Sequence, residues 1–178
     1  MLRVLRRAAL ATAILPALAV AQTGEALIAK VGANTPIAHP TFPGQKELVY
    51  KVAWDVTAGA AKPEDAVAGY ALPANFLVMT DAEGLDRKKV HLAIIVHGTA
   101  TQSLLRNDAY KAATGKDNAN IALLEALDAA GVQVIVCGQA LVNRKVPRDQ
   151  LLPFVKVSAS ATLARATLHA QGYATFPQ

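Results

Sequence analysis

The alternation of apolar and polar positions predicts four strands between residues 47 and 157. Glu47–Val56 alternates as a half-buried strand does, with its apolar side chains mainly on one side. Val90–Val96 is a nearly continuous apolar run, which is typical of a central parallel strand covered on both faces. Val132–Val136 shows the same pattern, and Val155–Val157 predicts a shorter strand.

Helical patterns separate these strands. Pro63-Glu64-Asp65 is typical of a helix start, and the apolar spacing continues to Met79, with Pro73 either kinking or restarting the helix. Further helices are predicted around Leu104-Leu105, at Asn120–Ala130, from Cys137 to Asn143, and at Ser160–Gln171. Repeated strand–loop–helix steps indicate an α/β fold, a three-layer sandwich with a mostly parallel sheet and right-handed crossovers.

The composition is consistent with one domain over residues 47–178. A chain of 178 residues with 53% hydrophobic but only 5% aromatic residues must build its core mainly from Ala, Val, Leu and Ile. Residues 22–46 contain three prolines and three glycines with little periodicity. We therefore expect that segment to be an extended, partly disordered arm.

Residues 1–21 have the three parts of a signal peptide. A basic head with Arg3, Arg6 and Arg7 precedes the apolar stretch Ala8–Ala19, and Ala19-Val20-Ala21 offers a cleavage site after Ala21. The apolar stretch is shorter than the roughly 20 residues that span a bilayer, which argues against stable membrane insertion. The sequence therefore predicts a periplasmic or secreted protein.

The charge pattern gives no support for nucleic-acid binding. Three of the 18 basic residues lie in the signal segment, so 15 basic residues face 13 acidic ones in the remainder. The resulting excess of two positive charges is small, and the remaining basic residues occur in scattered pairs rather than in a stripe. We therefore expect these basic residues to lie on an ordinary solvated surface.

Two polar residues follow the predicted central strands directly. His97 comes after Val96, and Cys137 comes after Val136. Ligands of open α/β sheets bind in the crevice at the carboxyl ends of the strands, so both side chains are candidates for one site if these strands are neighbours. Cys137 also precedes a predicted helix, whose free amide groups and dipole favour a thiolate.

Cys137 is the only cysteine of the chain. In an exported protein it cannot form an internal disulfide, so it is a reactive thiol, an intermolecular bridge or a buried residue that behaves as a small hydrophobe.

Other chemistries find little support in the sequence. The chain lacks a Cys-x-x-Cys pair, a dinucleotide-binding glycine motif and a P-loop. His39, His91 and His169 are widely separated, with His91 inside a strand and His169 on a helix, so neither a metal nor another cofactor is expected.

The assembled motifs resemble the DsrE/DsrF-like family over about the last 130 residues. The resemblance rests on the order and spacing of Val96-His97-Gly98, Asn118-Ala119-Asn120, Val136 to Leu141, Leu151-Leu152-Pro153 and Gln171 to Ala174.

The resemblance implies a parallel-sheet α/β sandwich that assembles as trimers or hexamers, which light scattering would detect. It also implies a persulfide-carrying cysteine at a strand end, a position that Cys137 matches, with His97 as its partner. Gly98, Asn120, Gly138 and Gln139 would then bind a small sulfur-containing ligand. Gly138 and Gln139 resemble the exported members of the family rather than the cytosolic carriers, which leaves the relay partners open.

Two functions follow from these residues. In the first, Cys137 accepts sulfane sulfur as a persulfide and passes it on, in the manner of a sulfurtransferase-like carrier. In the second, the protein is a non-catalytic oligomeric module whose crevice binds a small ligand. Solvent access to the thiol separates them, because a thiol sealed by apolar neighbours cannot exchange sulfur.

We predict that the mature protein begins at Gln22, since small residues precede that position and the apolar stretch is too short to anchor the chain. The intact mass of the exported protein checks this. A protein that retains Met1 and partitions with membranes would contradict it.

Overall fold

The computed structural model describes residues 24–177 and contains a five-stranded sheet in the order β4-β3-β2-β1-β5. Every neighbouring pair of strands in this sheet is parallel. The strands are β1 (Tyr50–Val56), β2 (Val90–Val96), β3 (Gln133–Cys137), β4 (Lys156–Ser158) and β5 (Ala174–Phe176).

The helices lie on both sides of the sheet. They are α1 (24–31), α2 (Ala71–Ala82), α3 (Asn107–Thr114), α4 (Ile121–Ala129), α5 (Gly138–Asn143) and α6 (Ala161–Ala170). Short 3-10 turns occur at Ala68–Tyr70, Arg87–Lys89, Gly98–Leu104 and Arg148–Gln150. The protein is therefore an α/β sandwich with a parallel sheet, as the sequence predicts.

The two faces of the sheet bury different kinds of side chain. Leu92, Ile94 and Val96 of β2 join the larger core cluster, which also holds buried residues of α1, α2 and α4. The alternate residues Ala93 and Ile95 join a smaller cluster with α6. This division follows from the period-two alternation of side chains along a strand.

Small side chains allow α6 to approach the sheet closely. Ala53 and Ala93 are fully buried on the sheet, and α6 contributes Ala161 and Ala164 to the same cluster, together with Leu168. Ser160 starts the helix by accepting a hydrogen bond from the amide of Leu163 at 3.0 Å.

Several predicted elements are confirmed closely. β2 has the predicted bounds, and α5 ends at Asn143 as expected. α4 and α6 differ from their predicted bounds by one residue at each end, and Gly131 follows α4 with a φ of 87°. The predicted signal segment lies outside the described residues.

The predicted helix start at Pro63 is wrong. Residues 61–67 are not helical, and α2 begins at Ala71, so Pro73 lies in its first turn. A proline is tolerated there because the first-turn amides have no partner within the helix. The Pro63-Glu64-Asp65 sequence forms a turn instead, in which the amide of Asp65 donates to the carbonyl of Lys62 at 3.1 Å.

Residues 24–31 are helical, whereas the composition of residues 22–46 predicts an extended segment. Ile28 supplies the reason, because its side chain is 1% exposed and belongs to the main core cluster. The prolines that suggest an arm all lie after Gly32, where the chain is irregular.

Three further differences concern short elements. Leu104 and Leu105 end a 3-10 turn and begin a loop, and the helix α3 starts only at Asn107. The edge strand β5 was not predicted, and β1 begins at Tyr50 instead of Glu47. α3 buries only Tyr110 and β5 has three residues, so neither produces a clear apolar pattern.

Within residues 24–177, no helix combines the length and the hydrophobicity that crossing a membrane requires.

We predict that Gly32→Ala lowers the free energy of unfolding by about 1–3 kcal/mol, as overpacking typically does. A Cβ at Gly32 would lie 2.3 Å from the carbonyl oxygen of Ala74 in α2, where only backbone could move. Gly24→Ala is the control at the other end of α1, because its Cβ would meet Ala126 at an ordinary 3.5 Å. Equal denaturation midpoints for the two variants would contradict this packing.

Candidate functional site

His97 and Cys137 lie side by side at the carboxyl edge of the sheet. The last paired residues of β2 and β3 before them are Val96 and Val136, so His97 and Cys137 occupy the next position on adjacent strands. Adjacent strands are separated by about 4.8 Å. His97 also extends the pairing of β2 with β1, because its amide donates a hydrogen bond to the carbonyl of Val56 at 3.0 Å.

The two side chains open into one cavity of about 480 Å³. Its lining residues are His97, Gly98, Cys137, Gln139, Ala140, Asn143 and Arg144. Arg144 is the one fixed charge among them, and none of them is acidic. The cavity therefore combines a thiol, an imidazole and a guanidinium, which suits a small ligand that carries negative charge.

Cys137 is largely buried but not sealed. The residue is 7% exposed, and on its inner side it packs in the cluster beneath α6. On its outer side it forms part of the cavity wall. Cys137 therefore borders both the core and the cavity.

A buried ion pair lies behind His97. Asp55, the penultimate residue of β1, is 3% exposed and lies on the α6 side of the sheet. Its Oδ2 accepts two hydrogen bonds from the Arg165 guanidinium of α6, one of them from Nε at 3.2 Å. The same Oδ2 is 4.0 Å from Nε2 of His97.

Two polar atoms at this place have no hydrogen-bond partner among residues 24–177, namely Oδ1 of Asp55 and Nε2 of His97. Asp55 and Arg165 were not predicted as site residues. The available signal was an aspartate near the end of a mainly apolar strand, but its partner lies 110 positions away in the sequence.

Gly98 and Gly138 permit close approach of the backbone around the cavity. Gly98 has a φ of 59°, and a Cβ there would lie 2.7 Å from the carbonyl oxygen of Thr57. A Cβ at Gly138 would lie 2.7 Å from the carbonyl oxygen of Ser158. Gly98 and Gln139 line the cavity, whereas Gly138 is buried beneath its wall.

The structure does not bring Asn120 into this cavity. Its side chain is buried, accepts a hydrogen bond from the amide of Val67 at 2.7 Å and donates one to Asn118 at 2.9 Å. Asn120 lines a neighbouring cavity of about 270 Å³, which shares only Arg144 with the first. These bonds give Asn120 the role of holding the loop before α4.

Tyr110 lies on the wall of the neighbouring cavity. Burial raises the pKa of its hydroxyl, and the carboxylate of Glu64 raises it further. The protonated hydroxyl donates to the carbonyl of Pro63 at 2.7 Å. It therefore fixes the turn at residues 61–65 rather than serving as a base.

In the part of the chain that the structure describes, no three His, Cys, Asp or Glu side chains are grouped as metal ligands.

Comparisons with known proteins agree on the fold. A model of the DsrE/DsrF-like family matches residues 51–176. Among solved structures, the protein of unknown function MTH1491 from Methanobacterium thermoautotrophicum is similar, with 19% identity and a TM-score of 0.51 over 72% of this chain and 99% of that chain. No match was found among curated proteins.

We predict that Arg165→Ala lowers the free energy of unfolding by about 3 kcal/mol, because it leaves a buried carboxylate without its counter-ion. Arg87→Ala is the matched control and should cost less than about 1 kcal/mol. Both arginine side chains are 32% exposed, but the side chain of Asp55 is 4% exposed and that of Asp81, the partner of Arg87, is 47% exposed. Urea denaturation measures both free energies of unfolding. Equal losses for the two variants would show that the burial of Asp55 does not determine the loss of stability.

Proposed function

Because the chain belongs to the DsrE/DsrF-like family, we propose that it is a sulfur carrier that holds sulfane sulfur as a persulfide on Cys137. The observation that carries the proposal is the adjacent placement of His97 and Cys137 on the wall of one cavity. A thiol needs a route for solutes and a group that takes its proton before it can attack sulfur. The cavity offers the route, and we propose His97, at the neighbouring strand end, as the group that takes the proton.

The reaction exchanges one sulfur–sulfur bond for another. The Cys137 thiol gives its proton to His97, and the thiolate attacks the terminal sulfur of a low-molecular-weight persulfide, R–S–SH. A new S–S bond forms on Cys137 as the S–S bond between the two sulfur atoms of the donor breaks, and the leaving R–S⁻ takes a proton. The products are R–SH and a Cys137 persulfide, with no net oxidation or reduction.

The charge of the cavity supports an anionic donor. Arg144 is exposed on its wall, and none of its lining residues is acidic. Gln139 adds an amide that is free to donate or accept at the rim, since it is exposed. We propose that the carrier works outside the cytoplasm after loss of residues 1–21, which the intact-mass measurement described above tests.

A non-catalytic ligand-binding module is the second candidate. The observation that favours it is the low exposure of Cys137, which at 7% is close to that of a core residue. In that function the thiol would only shape the cavity, and its replacement by a residue of similar size would leave ligand binding intact.

We predict that treatment with inorganic polysulfide adds one sulfur atom to the mature protein, that Cys137→Ser abolishes the adduct, and that His97→Gln slows its formation by on the order of tenfold or more. Intact-mass spectrometry over time measures all three. His91→Gln is the control, because His91 is an exposed histidine of the same strand.

The binding-module function gives the opposite result. Cys137 would then alkylate more slowly than free cysteine in the folded protein, and no sulfur adduct would form on it.

A further inference from the structure

Asp55 occupies a position that core packing alone does not explain. Its neighbours on the same face of the central strands are Ala53, Ala93 and Ile95. Removing a carboxylate from water costs several kcal/mol even when it is paired, and apolar residues often replace buried ion pairs without loss of stability. The packing of α6 on this face would be served equally well by an alanine or a valine.

The ion pair faces the imidazole of His97. Both hydrogen bonds from Arg165 go to Oδ2 of Asp55, and that atom is also the one 4.0 Å from Nε2 of His97. Arg165 reaches the carboxylate from α6, whereas His97 follows β2, so the carboxylate lies between a cation and an imidazole. Nε2 is buried and has no other partner in residues 24–177.

The charged and titratable groups around the imidazole come from four elements. Asp55 belongs to β1, Cys137 to β3 and Arg165 to α6, while Arg144 follows α5 on the cavity wall. Asp55 is the one carboxylate among them. A carboxylate beside one ring nitrogen determines which nitrogen carries the proton in the neutral imidazole.

We propose that Asp55, held in place by Arg165, is a positioning residue that keeps the proton of neutral His97 on Nε2 and so leaves Nδ1 free to accept the proton of Cys137. The inference rests on the proposed sulfur-carrier function and adds to it a third and a fourth residue. Arg165 fixes the carboxylate, the carboxylate fixes the tautomer, and the tautomer decides whether the imidazole can act as a base.

The proton then follows a closed route. It moves from Sγ of Cys137 to Nδ1 of His97 as the thiolate attacks the donor persulfide. The imidazolium carries one proton on each nitrogen, with the Nε2 proton facing Asp55. The Nδ1 proton passes to the leaving R–S⁻, which restores the starting tautomer.

The first test reads the tautomer directly and needs no variant that alters the core. Nitrogen-15 NMR of the mature wild-type protein, at a pH above the range in which imidazole is protonated, should show His97 with its proton on Nε2. His97→Gln assigns the signal among the four histidines of the chain. A proton on Nδ1 in the wild-type protein would overturn the proposal.

The second test compares rates of sulfur uptake from inorganic polysulfide in Asp55→Asn, His97→Gln and the double variant, with thermal unfolding to confirm that each is folded. Asp55→Asn should slow uptake by about tenfold or more, because an amide can donate to Nε2 and reverse the tautomer. The double variant should be no slower than His97→Gln alone, because Asp55 acts through His97.

The outcomes separate this inference from the function on which it rests. Normal uptake with an unchanged tautomer in Asp55→Asn overturns the positioning role and leaves the sulfur carrier standing. A double variant much slower than His97→Gln also overturns it, because Asp55 would then act by another route. Absence of any sulfur adduct on the wild-type protein overturns both.

Discussion

The pairing register of β1, β2 and β3 determines which side chains meet at the carboxyl edge of the sheet. Because side chains alternate between faces, a slip of one residue between β2 and β3 would send His97 and Cys137 to opposite faces. The observed register, with Val96 opposite Val136, instead places them abreast on the α6 side of the sheet. Asp55 points to the same face from β1, so three adjacent strands each contribute one functional group.

This arrangement depends on the small size of the residues beneath α6. Four alanines on the sheet and the helix let α6 lie close enough for Arg165 to reach Asp55, while bulkier side chains would hold the helix away. At the strand ends, the absence of a side chain at Gly98 and Gly138 lets the backbone pass close to the carbonyl groups of Thr57 and Ser158. Tight packing therefore fixes the geometry around a largely buried cysteine that also lines the cavity.

The sequence predicted the centre of the fold better than its periphery. β2 is buried on both faces, so its apolar run is continuous and its bounds were predicted correctly, and the same pattern placed His97 and Cys137 at strand ends. β5 and α3 bury few side chains, so no comparable pattern marks them. The helix at residues 24–31 was missed because one buried side chain, Ile28, outweighs the irregular composition that follows it.

The site was predicted only in part, for a different reason. Cys137 and His97 could be found because Cys137 ends the apolar strand β3 and His97 follows β2. Asp55 leaves only a weak local signal, an acidic residue within a strand, and its partner Arg165 lies 110 positions away. Asn120, predicted to bind a ligand, lies outside the cavity of His97 and Cys137, and its hydrogen bonds to Val67 and Asn118 hold the loop before α4. Pairwise contacts of this kind exist only after the chain has folded.

The central claim is that Cys137 both takes up sulfane sulfur and gives it back. The most direct measurement loads the mature protein with polysulfide, removes the excess and adds cyanide, which converts a persulfide to thiocyanate and restores the thiol. We expect one thiocyanate per chain in each of several successive rounds, and none from Cys137→Ser. Thiocyanate from the serine variant, or none from the wild-type protein, would contradict the account.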